Sequence, residues 1–504
     1  MSGTHSSILR IGLRGAMMSA LMALAAMAAE PARTGTVLSD LAERLPPAQM
    51  GDGSAPKESG MNAKRRLAPR PPLGWNSYDR FGTSVTEAEI RAQALAMAKS
   101  LLPYGWNYLV IDGGWYNPPR TKDKRAGQPT YAHVDPYGRL LPDETRFPSA
   151  AGGAGFGPLA DFVHKQGLKF GLHVMRGIPR VAARDRLPVL NTNRTADELA
   201  DREAVCPWSQ GMWGLDWSKP EAQAYYDSIF RLYAEWQVDF VKMDDLIGYP
   251  KQGKTAPYHK HDVAAARAAA DATGREVVLS LSPGNFASAD LAPHMKRYVQ
   301  MARISGDFWD RWGSLKHMFD LCPPWAPHVG DGFWMDCDML PMGMIGLQKD
   351  GTRGPDRASR FTHGEQRLMM TLWAICRSPL FFGGDLTLLD EATLALLQNR
   401  EVLAVNQHSR GNRPLFRRGE QVAWVASAPE GGGRYVALFN LADEGSAEMT
   451  VSASELGLRG RMRLRDLWTG RDLGSADALR LTVGPHEAEL IHVTSANEKG
   501  QEQK

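Results

Sequence analysis

The chain has 504 residues, which predicts a large catalytic domain and a smaller one, because a single hydrophobic core stops growing near about 250–300 residues. Its 59 basic and 56 acidic residues leave a formal charge of +3 with no long basic run, so the charge pattern argues against nucleic acid as a partner. This balance favours a small neutral molecule or an oligosaccharide as the substrate, and it leaves the oligomeric state open.

Residues 1–30 have the pattern of an export signal. Arg10 and Arg14 precede the apolar run AMMSALMALAAMAA, and small residues follow at a plausible cleavage point. The run is shorter than the roughly 20 residues that a membrane span needs, and no other stretch reaches that length. We therefore expect an exported protein, periplasmic or secreted, with a permanent N-terminal anchor as the less favoured alternative. Residues 31–69 are rich in Pro, Gly, Ala, Ser and charge, which is typical of a flexible lead-in.

The four cysteines lie far apart and form no CxxC pair. They are Cys206, Cys322, Cys337 and Cys376. Their spacing predicts neither a zinc site nor a disulfide framework, although an exported protein can still join some of them.

Between residues 70 and 405, strand-like segments alternate with helical ones. The strand-like segments include PLGWNSYD, YLVIDGGWY, LKFGLHVM, DFVKMDD, REVVLSLSP, YVQMARISGD and SPLFFGGD. Alternation of this kind is typical of βα units, and about eight units favour a closed (β/α)₈ TIM barrel over an open doubly wound sheet. No GxGxxG or GxxxxGK sequence follows the first strand, so nucleotide binding has no support.

Residues 406–496 have a different character. Short alternating strands such as QVAWVASA and RYVALFNL are separated by Gly, Pro, Asp and Asn turns, which predicts a small antiparallel β-sandwich. This segment carries no clustered His, Cys or paired acids, so we expect it to pack against the barrel, with sugar binding as the minor alternative. Residues 497–504 form a polar tail.

Polar residues stand where most of the predicted barrel strands end. The active site of such a barrel lies at the C-terminal ends of its strands, and a sugar site needs carboxylates and an aromatic platform. A single Asp at a strand end is more often a helix cap or a salt-bridge partner, so it is the convergence that predicts a carbohydrate-active barrel. The residues, in chain order, are Trp75, Asn76, Asp79, Asp112, Trp115, His173, Arg176, Lys242, Asp244, Asp245, Arg303, Asp307, Asp336 and Asp338.

Asp244 and Asp307 are the predicted catalytic acids. Lys242 lies two residues before Asp244 and faces the same side of the strand, where its charge favours the ionised carboxylate that a nucleophile needs. Asp307 follows Arg303 in a segment rich in Trp and Phe, where aromatic walls would raise the carboxyl pKa and keep the group protonated as the acid. Retaining glycosidases use such a pair about 5–5.5 Å apart, so both carboxyls should flank one cavity.

Eight segments of the chain resemble, in order, signature stretches of glycoside hydrolase family 27, the family of α-galactosidases and α-N-acetylgalactosaminidases. They are PPLGWNSYDRFG, YLVIDGGWY, GLKFGLHVM, VDFVKMDD, RISGDFWDRW, WMDCDMLPMG, SPLFFGGDLTLL and NREVLAVNQ. The resemblance implies that Asp244 is the nucleophile and that Asp307 is the acid/base. It also implies sugar contacts from Trp75, Asp112 and Asp338, and with the strand-end argument the candidate substrate-binding residues become Trp75, Asp112, His173, Lys242, Arg303 and Asp338.

The chain departs from the family pattern around the sugar. Gly113 replaces a second Asp that helps to bind the hydroxyls at C4 and C6, and His173 replaces a tyrosine. Residues 282–284 read Ser-Pro-Gly in place of the CEW segment near C2. Leu246 replaces the cysteine two places after the nucleophile, so the usual bridge from Cys206 cannot form. The chain therefore resembles a divergent bacterial branch of the family.

The expected activity is retaining hydrolysis of terminal α-D-galactosyl residues. Two alternatives from the same family stay open, a β-L-arabinopyranosidase and an isomalto-dextranase-like α-glucan hydrolase, because a changed polar contact can alter which sugar is accepted. A sugar-binding barrel without catalysis is a rival of another class, but both acids are present. A metal-dependent hydrolase using Asp336, Asp338 and His173 lacks any HxH or HExxH spacing, so we expect no metal ion and no cofactor.

Overall fold

The computed structural model of the protein describes residues 67–118, 132–248, 257–282, 286–346 and 356–496. The predicted export signal at 1–30, the lead-in up to residue 66 and the polar tail at 497–504 lie outside these residues. Within the described ranges, no helix has both the length and the apolar character needed to cross a membrane.

Eight parallel strands form the barrel that the sequence predicts. They pair side by side in the order β7, β6, β5, β4, β3, β2, β1, β8, and a bridge from Leu340, just beyond β7, to Phe382 of β8 closes the ring. The predicted (β/α)₈ fold is thereby confirmed. The strands are β1 (Leu73–Asn76), β2 (Tyr108–Ile111), β3 (Lys169–Met175), β4 (Phe240–Asp244), β5 (Val278–Ser282), β6 (Met301–Arg303), β7 (Trp334–Asp336) and β8 (Leu380–Phe382).

A helix follows each barrel strand. α1 begins with a capping box, in which Thr86 and Glu89 exchange side chain to main chain hydrogen bonds and so satisfy free N–H groups of the first turn. The helices are α1 (Glu87–Ser100), α2 (Gly157–Lys165), α3 (Glu221–Glu235), α4 (Lys260–Ala272), α5 (Ala292–Tyr298), α6 (Trp312–Trp325), α7 (His363–Cys376), α8 (Glu391–Gln398) and α9 (Arg400–His408).

The connections between these strands and helices contain short strands and helical turns. The connection from β3 to α3 holds a small antiparallel sheet built from Ile178–Pro179, Ala200–Asp201 and Met212–Leu215. Met344–Ile345 and Arg357–Ala358 form an antiparallel pair of two-residue strands, and single helical turns occur at Tyr78–Phe81, Arg180–Arg184 and Ala196–Leu199.

Side chains along each barrel strand point alternately toward the surrounding helices and toward the barrel interior. On β4, Val241 and Met243 belong to the core between strands and helices, whereas Phe240 lies in a separate cluster inside the barrel. Lys242 and Asp244 share the interior side with Phe240, because side chains two apart on a strand point the same way. The interior cluster fills the lower part of the barrel with Tyr108, Val110, Phe240, Val278, Met301, Trp334 and Phe381.

The C-terminal strands form the predicted antiparallel sandwich. A six-stranded sheet in the order β9, β10, β11, β16, β13, β14 and a pair β12, β15 enclose a second apolar core that includes Val436, Leu438, Val451, Leu479 and Ile491. The strands are β9 (Arg410–Arg418), β10 (Gln421–Ser427), β11 (Arg434–Asn440), β12 (Ala447–Ser452), β13 (Met462–Asp466), β14 (Asp472–Ala476), β15 (Ala478–Val483) and β16 (Glu487–Ser495).

The sandwich packs against the last helices of the barrel, within the same compact unit. The Trp312 ring of α6 stacks on His486 with centroids 3.5 Å apart, and Trp468 Nε1 donates to Thr371 Oγ1 of α7 at 2.9 Å. These contacts join the two domains through side chains that are only partly exposed.

All four cysteines are buried and free. Three of them nevertheless converge, because Cys322 Sγ lies 3.6 Å from Cys337 Sγ and also contacts Cys376. Their separation in the sequence did not reveal this cluster.

Candidate active site

A buried ion pair joins the ends of β2 and β4. Lys242 Nζ lies 2.8 Å from Asp112 Oδ2, and Asn76 Nδ2 donates to the same oxygen at 2.8 Å. Asp112 Oδ1 accepts from the Gly113 N–H at 2.8 Å. Burial would raise the pKa of Asp112, but the Lys242 charge and these hydrogen bonds outweigh it and lower the pKa below its ordinary value. Lys242 thus forms its ion pair with Asp112 and not, as the sequence suggested, with Asp244.

Asp244 is the last residue of β4, and the main chain holds one of its two carboxylate oxygens. Its Oδ1 accepts from the Asp245 N–H at 2.8 Å, and its Oδ2 lies 3.4 Å from His173 Nε2. The side chain is 22% exposed, so the carboxylate reaches solvent at the rim of the barrel. One oxygen is therefore held by the main chain while the carboxylate stays accessible to a ligand.

Arg303 is buried at the end of β6, and its guanidinium contacts two further acids of the site. Its Nη1 donates to Asp307 Oδ1 at 3.1 Å and to Ser282 Oγ at 3.2 Å. Its Nη2 lies 3.1 Å from Asp338 Oδ2, which also accepts from the Phe308 N–H at 2.8 Å. The guanidinium thus links β5, β6 and the segment after β7.

Asp307 lies in an exposed position, and the predicted aromatic walls around it stay a prediction. Phe308 packs against Trp373 and Phe361, with ring centroids 5.0 and 6.0 Å away. The Asp307 side chain is 55% exposed, and its carboxylate pairs with Arg303. Among the described contacts, the one with Arg303 is therefore an ion pair at a largely exposed carboxylate.

Two further carboxyls, Asp79 and Asp336, lie buried among these charges. Burial, reinforced by the charge of Asp338, raises the pKa of Asp79 well above its ordinary value and raises the pKa of Asp336 to about 7. Asp336 Oδ1 accepts from the Asp338 N–H at 2.8 Å. Their strand-end positions marked both acids in the sequence, and the structure adds that both are buried. Among the described residues, no group of His, Cys, Asp and Glu is arranged to hold a metal ion.

The predicted aromatic residue Trp75 belongs to the core between the barrel strands and the helices. Its ring has no exposed surface, its Nε1 donates to the Gly384 carbonyl at 2.8 Å, and it packs edge-on against Phe81. Trp115 is equally buried and donates to the His173 carbonyl at 2.8 Å. Contact between Trp75 and a sugar therefore stays a prediction.

Two of the departures noted in the sequence are neighbours in space. A Cβ built on Gly113 would lie 3.2 Å from both Cε1 and Nδ1 of His173. Contacts at this distance are tight, so the imidazole occupies the space that a side chain at residue 113 would need. The other part of the site that departs from the family pattern, residues 283 and 284, lies outside the described residues.

Comparison with protein families gives one match in the second half of the barrel and one in the sandwich. Residues 217–408 match the family model described as alpha galactosidase A, and residues 418–493 match the alpha galactosidase C-terminal beta sandwich domain.

Comparison with individual proteins gives matches along nearly the whole described chain. The chain is similar to a solved GH27 β-L-arabinopyranosidase from Geobacillus stearothermophilus, with 46% identity, a TM-score of 0.82, and coverage of 87% of this chain and 99% of that one. A variant of that enzyme solved in complex with arabinose matches at 46% identity, with a TM-score of 0.81 over 86% and 99%. Alpha-galactosidase 2 of Arabidopsis thaliana is 26% identical over 88% of this chain and 94% of its own length.

Proposed function

This chain belongs to glycoside hydrolase family 27, and we propose that it hydrolyses terminal glycosides with retention of configuration, using Asp244 as the nucleophile and Asp307 as the acid/base. One observation carries the proposal. Arg303 holds Asp307 on one side of the barrel rim, while the main chain of Asp245 holds Asp244 on another, and both carboxylates remain accessible.

The chemistry requires two displacements. In the first, an oxygen of Asp244 attacks the anomeric carbon while Asp307 gives its proton to the departing oxygen. In the second, Asp307 takes a proton from water, whose oxygen attacks the same carbon and releases Asp244. Two inversions leave the configuration unchanged. Esterification removes the negative charge of Asp244, which makes it easier for Asp307 to give up its proton and serve as the base.

The preferred sugar of this proposal is β-L-arabinopyranose, which has the ring configuration of α-D-galactopyranose without the C6 group. The enzyme at 46% identity is a β-L-arabinopyranosidase, whereas the plant α-galactosidase is only 26% identical. Gly113 supports the same choice, since the resemblance assigns a carboxylate at this position to the hydroxyls at C4 and C6. The α-galactosidase activity expected from the sequence is the second candidate, and the matches to the two alpha galactosidase family models support it.

A panel of p-nitrophenyl glycosides tests both candidates. We expect turnover of the β-L-arabinopyranoside to exceed that of the α-D-galactoside, the α-N-acetylgalactosaminide and the α-glucoside. Detection of the first product anomer by NMR should show retention. Inversion would refute the double displacement, and a galactoside preference would replace the first candidate with the second. Turnover that a chelator abolishes would favour a metal-dependent hydrolase instead.

Variants test the two acids separately. Asp244→Asn should abolish turnover while leaving sugar binding measurable by calorimetry, and a fully active variant would exclude the nucleophile role. Asp307→Asn should slow substrates with poor leaving groups far more than aryl glycosides, whose leaving oxygen needs no proton. Equal losses on both substrate classes would argue against the acid role.

Export is also part of this proposal. The pattern at residues 1–30 supports delivery to the periplasm or beyond the cell. N-terminal sequencing of the protein from cell fractions should find a chain that lacks these residues, and an intact N-terminus in the cytoplasmic fraction would refute it.

A further inference from the structure

Arg176 connects the segment after the nucleophile to the long β3–α3 connection. It lies just beyond β3, and its Nε donates to the Asp245 carbonyl at 2.9 Å. Its Nη2 donates to Asp245 Oδ2 at 2.7 Å and to the Ala204 carbonyl at 3.3 Å. The Arg176 and Asp245 side chains are only 2% and 3% exposed, so this is a buried ion pair.

The same two residues also hold the main chain of Asp244. The Arg176 N–H donates to the Asp244 carbonyl at 3.0 Å. Asp245 has a φ of +64°, in the left-handed region that L-residues other than Gly, Asn and Asp rarely adopt. In that conformation its N–H donates to Asp244 Oδ1 at 2.8 Å. The backbone at residue 245 therefore sets the orientation of the carboxylate before it.

The family resemblance implies a disulfide close to this ion pair. That bridge would join Cys206 to a cysteine two residues after the nucleophile, but Leu246 stands there. Cys206 is free, and its thiol lies beside the Asp245 carboxyl. Arg176 reaches Ala204 in the same connection, so it joins by hydrogen bonds the two segments that the disulfide would join covalently.

We propose that Arg176 and Asp245 form a polar clamp that positions Asp244 for attack, in place of the missing disulfide. The clamp acts through Asp244 and does not touch the substrate, so both members are positioning residues. The inference rests on the proposed role of Asp244 as the nucleophile. A clamp that acts on the geometry of attack changes kcat, whereas a contact that only supports the fold changes stability.

Arg176→Met tests the clamp, and Arg275→Met is its matched control. Arg275 is also an arginine tied to β4, since it donates to the carbonyls of Val238 and Gln237 and to Asp239, but at the opposite end of the strand. We expect Arg176→Met to lower kcat at least 30-fold with less than a threefold change in KM, and Arg275→Met to leave kcat within twofold. Equal effects of the two substitutions on kcat would overturn the proposal.

A second substitution separates positioning from folding. Gly adopts a positive φ without strain, so Asp245→Gly in the Arg176→Met background removes the stranded carboxyl and keeps the backbone N–H in place. Because the double variant lacks both members of the clamp, we expect its kcat to stay as low as that of Arg176→Met. Recovery of the parent kcat would show that the stranded carboxyl alone caused the loss, and it would contradict the clamp. Should Arg176→Met not fold, Asp245→Asn replaces it, because Asn tolerates the left-handed conformation and removes only the charge; a folded Asp245→Asn with unchanged kcat would then refute the clamp.

Failure of the clamp is distinguishable from failure of the nucleophile assignment. If Asp244→Asn is inactive and Arg176→Met is normal, the clamp alone is wrong. If Asp244→Asn retains turnover, the proposed function is wrong and the clamp with it.

Discussion

Replacement of Lys242 with Met tests how much the buried ion pair with Asp112 contributes to the free energy of unfolding. Lys242 is the cation paired with the buried carboxylate of Asp112, and the substitution keeps the length of the side chain while removing its charge. Removing one partner of a buried ion pair leaves an uncompensated charge, which typically costs about 3–5 kcal/mol of unfolding free energy. The Asn76 amide and the Gly113 N–H still donate to Asp112, so we expect the lower end of that range, about 3 kcal/mol.

The loss of unfolding free energy in Lys242→Met should be larger at high pH than at low pH. In the native protein the pKa of Asp112 is lowered, so the carboxylate stabilises the fold above its ordinary pKa. Without Lys242, burial raises that pKa instead, and the unfolded chain then gives up the proton more readily than the folded one. The variant should therefore lose more stability at pH 8 than at pH 5.

Urea unfolding at these two pH values measures the effect, with Lys169→Met as the matched control. Lys169 is an exposed lysine on β3 that donates to the Tyr108 hydroxyl at 3.2 Å, and its loss should cost under about 1 kcal/mol. Asp112→Asn in the Lys242→Met background removes the stranded charge, so it should restore most of the stability at pH 8. A loss that is below about 1 kcal/mol, or that is the same at both pH values, would refute the reasoning.

Three other substitutions probe separate features. Gly113→Ala should cost about 1–3 kcal/mol, because the new Cβ crowds His173, and His173→Ala in that background should relieve the strain; additive losses would contradict the contact. The folded pKa of Asp336, about 7, exceeds the unfolded value of about 3.9, so stability should fall as pH rises between them by up to about 1.4 kcal/mol per unit. Asp336→Asn should flatten this slope in urea titrations from pH 4.5 to 7.5, and an unchanged slope would argue against the assignment. Trp312→Ala removes the stack on His486, so it should cost at least about 0.5–1.5 kcal/mol and leave kcat unchanged; a large fall in kcat would show that the domain contact reaches the site.

The position of the candidate site followed from local patterns. Asp244 and Lys242 were recognisable because a short apolar strand stopped on a charged pair, and Asp307 because it stood four residues after Arg303. Parallel strands end at one rim, so no long-range information was needed to predict that these groups would gather there.

The partners of these groups could not be read in the same way. Lys242 pairs with Asp112, which is 130 residues away, and Arg303 holds Asp338 as well as Asp307. Which cation meets which carboxylate depends on strand register and on how burial forces charges into pairs. The aromatic residues after Asp307 illustrate the limit, because composition alone did not tell on which side of the chain their rings would pack.

Periodicity along the chain was therefore enough to establish the barrel, the sandwich and the rim at which the acids lie, since each of these depends on patterns a few residues long. The clamp of Arg176 and Asp245, the crowding of Gly113 by His173 and the thiol cluster around Cys322 emerged only when distant segments were brought into contact. Side-chain packing and charge pairing join residues that are far apart in the sequence, so local sequence patterns do not predict them.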